Sequence, residues 1–205
     1  MVNDNLNCGI TDTHRYLYAV ASEHPHLVWV DCEMTGLDLA TDALVEIAVL
    51  VTDSDLNLIG EGIDFVIKCE QAKLDGMNEF VKKMHTDSGL LPLIQSGISM
   101  AEAEAKILKY LNESGVIEGK SPLAGNSVNF DRGFIERDMP NFAKMLHYRT
   151  IDVSSIKELA RRWYPKVYFK SPTKTGNHRA LGDIQDSIAE LAHYRANLFA
   201  ITPEN

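Results

Sequence analysis

Short apolar runs give way to helical repeats and back again along this chain. Leu27-Val28-Trp29-Val30-Asp31 is a compact β-branched and aromatic run that predicts a first strand. Leu44 to Val51 predicts a second, Thr52-Asp53-Ser54-Asp55 a turn, and Leu58 to Ile67 a third strand. Three consecutive strands with tight turns suggest an antiparallel meander. The period then changes: Met77, Phe80, Val81 and Met84 recur at helical spacing. Ser99 is a good N-cap for a helix with Ala103, Ile107, Leu108 and Leu111 on one face, ended by Gly115. Pro122 to Gly125 reads as a short buried strand, followed by a helix around Phe130 to Asp138. Tyr148 to Val153 reads as a last strand, then a helix from Ser154 to Tyr164. Pro165 to Asn177 reads as a loop, and the final helix as Ala180 to Leu198, with Leu181, Ile184, Ile188 and Leu191 on its buried face. The pattern is that of one α/β domain over residues 27–200, with a mixed sheet and helices on its faces. Residues 1–26 read as a loosely ordered extension without the basic start and apolar middle of a signal peptide, and 201–205 as a tail.

Composition narrows the class. At 205 residues, 45% hydrophobic and 24% charged, the chain can bury one ordinary core and is not a low-complexity disordered chain. No run approaches the ~18 consecutive apolar residues of a membrane span, so no membrane partner is expected. Cys8, Cys32 and Cys69 are scattered without CxxC spacing, which argues against a disulfide framework or structural zinc site and suits a reducing cytoplasm. The net charge of −9 is uneven: residues 131–180 hold 11 Lys/Arg against 5 Asp/Glu, whereas residues 1–130 hold 8 against 20. A locally basic segment in an acidic chain suits a phosphate-bearing ligand of limited size, or simply a solvated helix face. It suits a long duplex poorly, because that needs an extended basic track.

The candidate chemistry lies at the ends of the core elements. Asp31 and Glu33 flank Cys32 at the end of the first strand. Alternate strand residues share a face, so the two carboxylates point together and Cys32 points away, as a small core residue. Alone, such a pair is also what an exposed strand end shows. Asp131 follows the buried Pro122–Gly125 run near the start of a helix, where it could serve only the helix dipole. His178 lies in the loop entering the final helix and Asp183 about one turn inside it; singly, each reads as a solvated group. Together they bring four carboxylates and one histidine to core-element ends. Hard oxygen donors without cysteine suit Mg²⁺ or Mn²⁺ rather than zinc. Four acids can neutralise two divalent ions, which suits in-line attack on a phosphodiester.

Asp31-x-Glu33, Asp131 and His178-x4-Asp183 resemble the DEDDh exonuclease signature carried on a ribonuclease H-like fold. The flanks narrow the likeness. Trp29 to Asp38, Gly125-Asn126-Ser127, His147-Tyr148-Arg149, Asp152-Val153-Ser154 and Arg161 to Pro165 are similar to the oligoribonuclease family, over about residues 27–200. The resemblance implies an α/β fold with a mixed five-stranded sheet, three antiparallel strands then two parallel, flanked by helices. It implies a 3′→5′ exoribonuclease that takes very short, 5′-phosphorylated oligoribonucleotides to 5′-mononucleotides. Asp31, Glu33, Asp131 and Asp183 would hold two Mg²⁺ or Mn²⁺ ions ~3.5–4 Å apart, and His178 would be the general base. Leu37 would wedge against the bases. Ser127, Arg149, Ser154 and Ser155 would cap the 5′-phosphate, and Tyr148 would reach the neighbouring site of a homodimer. Phe80 stands where many relatives have tryptophan, and both stacking on a base and core packing fit it. His85 either lines the site or caps its helix. Gly182 stands where many relatives have an acid. Proofreading or tRNA-trimming exonucleases, silent nucleic-acid-binding proteins on the same fold and small-molecule phosphatases are the competing readings. The cap residues count against the other exonucleases, and the five intact site residues against a silent protein.

Overall fold

The computed structural model describes residues 25–173 and 179–199. Most of the extension expected over 1–26, the tail 201–205 and His178 lie outside the described residues. Five strands form one sheet: β1 (Leu27–Met34), β2 (Leu44–Thr52), β3 (Leu58–Val66), β4 (Ser121–Gly125) and β5 (Leu146–Asp152), in the order β3-β2-β1-β4-β5. The first three pair antiparallel, and β4 and β5 join parallel, as expected. The helices are α1 (Gln71–Asp75), α2 (Glu79–Asp87), α3 (Met100–Glu113), α4 (Asn129–Asp138), α5 (Pro140–Met145), α6 (Val153–Trp163), α7 (Pro165–Tyr168) and α8 (Ala180–Leu198). Ser99 caps α3 as its position suggests, its hydroxyl accepting from the Glu102 amide at 3.2 Å. Several short pieces depart from the sequence reading, α5 and α7 among them. α5 was not expected, and α7 interrupts the loop expected over Pro165–Asn177. Each opens on a proline at its first turn and is too short to show helical periodicity. Among the described residues no helix is long and apolar enough to cross a membrane.

Alternation along β1 decides what each sheet face buries. Val28, Val30 and Cys32 join a core with Ile107 and Leu111 of α3 and Phe134 and Ile135 of α4. Leu27 and Trp29 join the other, with Ala160 of α6 and Ile184, Leu191 and Tyr194 of α8. The same alternation carries Asp31 and Glu33 to the α8 side. The fully buried Trp29 keeps its indole N–H satisfied by the Thr52 hydroxyl at 2.9 Å.

β1 and β4 pair at Val28–Leu123 and Trp29–Ala124, and β1 then runs on past the end of β4. The parting of parallel strands at their carboxyl ends opens a crevice, the usual place for a ligand in an α/β sheet. Gly125 makes this possible by close approach: a Cβ there would lie 2.7 Å from the Val30 carbonyl oxygen and 3.2 Å from Val128 Cγ2. Gly125→Ala is therefore expected to cost roughly 1–3 kcal/mol, the usual range for overpacking, read as a lowered midpoint in chemical denaturation. A wild-type midpoint would contradict the tight crossing.

Candidate active site

The crevice collects acids from three separate parts of the chain. Asp31 and Glu33 come from the end of β1, and Asp183 from the first turn of α8. One carboxylate oxygen of each lies within 4.8 Å of the others. Asp131 enters from the other face of the sheet, on the first turn of α4, and shares a cavity of about 430 Å³ with Asp31 and Glu33. Glu33 and Asp131 are buried, and Asp31 and Asp183 half-buried.

Carboxylates this close repel one another unless a cation joins them. Burial, then the charges of Glu46, Asp183 and Asp131, push the Glu33 carboxyl up to about 8, with Arg179 acting against them. Burial pushes Asp131 up to about 6, against hydrogen bonds from its own amide and from the Cys32 thiol and amide. Cys32 thus does more than fill core. Burial, then Asp131 and Asp31, hold its thiol well above the ordinary range, so it serves as a donor to Asp131 and not as a nucleophile. Clustered oxygen donors, with Glu33 raised by its acidic neighbours, fit a hard divalent ion, whose charge would oppose that shift.

The shifts fix a pH dependence. A carboxyl whose folded pKa lies above its ordinary 4.5 binds its proton more tightly folded than unfolded. The metal-free protein therefore loses stability as pH rises from 4.5 through about 8 at Glu33. Its melting temperature in a chelator is expected to fall between about pH 5 and pH 9, and Mg²⁺ to raise it more at the higher pH. A Mg²⁺ increment that did not grow with pH, measured by calorimetry, would contradict a cation site at these acids.

The resemblance-based residues fall into two groups. Leu37 and Phe80 line the acidic cavity and are 59% and 77% exposed, with Met84, Phe130, Asn126 and Ser127. That exposure decides the open reading of Phe80: it faces the cleft and not the core. His85 is fully buried behind the site. Its Nε2 donates to the Met34 carbonyl at 2.8 Å, and its Nδ1 lies 3.8 Å from Glu33 Oε2. Ser127, in the left-handed region at φ 55°, and Ser154 stand hydroxyl to hydroxyl at 3.1 Å. Asp152 holds both, one carboxylate oxygen accepting from the Ser127 amide at 3.0 Å and the Ser154 amide at 2.8 Å. Ser155 is exposed on α6. Tyr148, 72% exposed on the edge strand β5, and Arg149, stacked over its ring at 5.3 Å, are not part of this cavity. Arg149 instead lines a larger, mainly apolar cavity of about 620 Å³ with Pro25, Leu27, Pro122 and Leu191. That cavity reaches the amino ends of β1 and β4 and holds none of the four acids, so its size does not make it the reaction centre.

Four residues of the site receive no role from the sequence pattern. Glu46 lies opposite Glu33 across the β1–β2 pair and is fully buried. Arg179 meets it at 2.7 Å. Asn126 donates to the Ser187 hydroxyl at 2.7 Å and accepts from Ser154 at 3.0 Å, tying the serine pair to α8. Lys157 pairs with the buried Glu190 at 2.9 Å. Each pair is close in space and distant in sequence, and only a pattern of shared substitution would have linked them.

Comparison with known proteins agrees with the geometry. Residues 28–191 match the RNase_T exonuclease family model. The chain is 58% identical over 177 residues to the oligoribonuclease of Streptomyces avermitilis, covering 86% of this chain and 88% of that one. It is 54% identical over 178 residues to that of Mycobacterium tuberculosis, with 86% and 83% covered. Among solved structures, Escherichia coli exonuclease I in its zinc-bound complex with single-stranded DNA superposes with a TM-score of 0.66 at 17% identity. That likeness covers 86% of this chain and 41% of exonuclease I, and it carries the fold alone. Family match, relatives and acid cluster agree: the chain belongs to the exonuclease family, within its oligoribonuclease branch of 3′→5′ exonucleases.

Proposed function

We propose that the protein hydrolyses very short 5′-phosphorylated oligoribonucleotides, dinucleotides above all, from the 3′ end to 5′-mononucleotides. The convergence of Asp31, Glu33 and Asp183 oxygens within 4.8 Å, in a cavity shared with Asp131, carries this reading. Asp31, Glu33 and Asp183 would hold one divalent ion, and Asp31 with Asp131 a second; Mg²⁺ and Mn²⁺ both suit the all-oxygen set. Bound there, the ions supply charge stabilisation for the phosphoryl oxygens and the leaving 3′-oxygen. The remaining work belongs to side chains. His178, one residue before the N-cap of α8, would take the proton of the attacking water. Water oxygen bonds to phosphorus, the P–O3′ bond breaks, and the 3′-oxygen leaves to be protonated by solvent. Leu37 and Phe80, exposed on the cleft, offer apolar surface to two bases.

Short-substrate preference needs a closed 5′ end. The Ser127–Ser154 pair, held by Asp152, offers hydroxyl donors to a terminal phosphate. Arg149 and Tyr148 project from an edge strand, which suits a homodimer in which Tyr148 reaches the partner's site. Hydrogen bonds to a charged group contribute ~1.5–3 kcal/mol each, so Arg149→Ala is expected to weaken 5′-phosphorylated dinucleotides tens-fold and unphosphorylated ones little. Equal loss for both would place Arg149 with the 620 Å³ cavity it lines, as a residue of the fold or dimer.

The direct assay offers a 5′-phosphorylated diribonucleotide, a long RNA and a simple phosphomonoester, with and without Mg²⁺. The expected result is Mg²⁺-dependent turnover fastest on the dinucleotide. Equal or faster turnover of the long RNA would remove the short-substrate assignment, and cleavage of the phosphomonoester alone would make the site a phosphatase.

A further inference from the structure

We infer that Glu46 and Arg179 form a clamp that sets the distance between Glu33 and Asp183, making both positioning residues for metal capture; this rests on the divalent-ion reading of the acid cluster. Glu33 and Asp183 belong to elements about 150 residues apart in sequence. Ala180 and Ile184 pack the start of α8 into the core that holds Trp29, and Arg179, the N-cap of α8, adds a polar link. Its Nε donates to Glu46 Oε1 at 2.9 Å, and a second guanidinium nitrogen lies 2.7 Å from the same oxygen and 3.7 Å from Asp64. Its backbone carbonyl accepts from the Gly182 amide at 2.9 Å and the Asp183 amide at 3.1 Å. One residue thus grips the sheet with its side chain and Asp183 with its main chain.

Glu46 completes the arrangement. The Arg179 side chain makes no cap hydrogen bond to α8; Glu46 Oε2 accepts from the Ala180 amide at 3.4 Å. Glu46 therefore acts as a distant cap for one of the amides a helix start leaves open. It stands opposite Glu33 in the β1–β2 register, so the same carboxylate refers Asp183 to the strand that carries Glu33. A fully buried carboxylate paired with arginine is costly as a stability device, and its best-attested use is to fix one arrangement among several.

The test is a cycle of Glu46→Gln, Arg179→Met and the double variant, in the full-length protein with Mn²⁺ as probe. The double variant removes the buried Glu46 charge together with its arginine partner, so it keeps the test available if Arg179→Met alone fails to fold. Residues supporting metal ligands typically alter affinity 10–100-fold when replaced. Each variant is expected to bind Mn²⁺ ~10-fold or more weakly by calorimetry, and the double variant about as weakly as the worse single one. Hydrogen exchange at the Gly182 and Asp183 amides is expected to quicken, and turnover to recover largely at saturating metal. Wild-type Mn²⁺ affinity in the folded double variant overturns the clamp, whatever its melting temperature. Absence of Mn²⁺ binding by the wild-type protein would instead strike the acid cluster as a metal site.

Discussion

Asp31→Asn is expected to lower turnover of a diribonucleotide by ~10⁴-fold or more while leaving the fold intact. In the proposed reaction Asp31 would serve both ions: its carboxylate clusters with those of Glu33 and Asp183 and shares the cavity with Asp131. The amide keeps the shape of the side chain and removes the charge that two cations need. A factor of 10⁴ corresponds to about 5.5 kcal/mol of lost transition-state stabilisation. Removing one of several repelling charges is also expected to stabilise the metal-free protein, since Asp183 and Asp131 already act to keep Glu33 protonated. The paired measurement is single-turnover rate at saturating Mg²⁺ together with melting temperature in a chelator. Wild-type turnover in a variant that binds substrate normally would remove Asp31 from the reaction centre.

His178→Ala is expected to lower the chemical step by ~10²–10⁴-fold with dinucleotide affinity nearly unchanged. A base that acts on water stabilises charge only in the transition state, so its loss falls on kcat and leaves ground-state binding in place. The wild-type rate should fall as acid protonates the imidazole of the base, and this limb should vanish in the variant. If binding collapsed while the single-turnover rate stayed high, His178 would be a ligand contact. The Arg179 clamp makes the contrast sharper. Arg179 fixes the helix start beside His178, so variants of the clamp should respond to metal concentration, whereas His178→Ala should not.

The elements that set the site were readable for specific reasons. Ser99, with its apolar residues at helical spacing, marked α3, and the alternation Asp31-Cys32-Glu33 placed two acids on one face of β1. The meander followed from three β-branched runs with short turns, and α8 from its apolar stripe. The short helices α5 and α7 were not readable, because six and four residues cannot display a 3.6-residue repeat. At the site, residue types and spacing gave the acids, but their approach depends on β4 passing β1 at Gly125, which no local pattern announces. Phe80 was undecidable between core and cleft because an aromatic at helical spacing fits both; its position on the outer face of α2 decides it. Glu46 lies inside the apolar run Leu44 to Val51 and has no local signal of its role. It became intelligible only with Arg179 beside it, 133 positions later.

Crystals soaked with Mn²⁺ and a non-hydrolysable 5′-phosphorylated dinucleotide address the acid cluster and the 5′ cap in one measurement. Two anomalous peaks ~3.5–4 Å apart are expected among Asp31, Glu33, Asp131 and Asp183. The bases should lie against Leu37 and Phe80, with the terminal phosphate at Ser127 and Ser154. Manganese away from these acids, or a dinucleotide seated in the 620 Å³ cavity at the amino ends of β1 and β4, would contradict the reaction centre described for this chain.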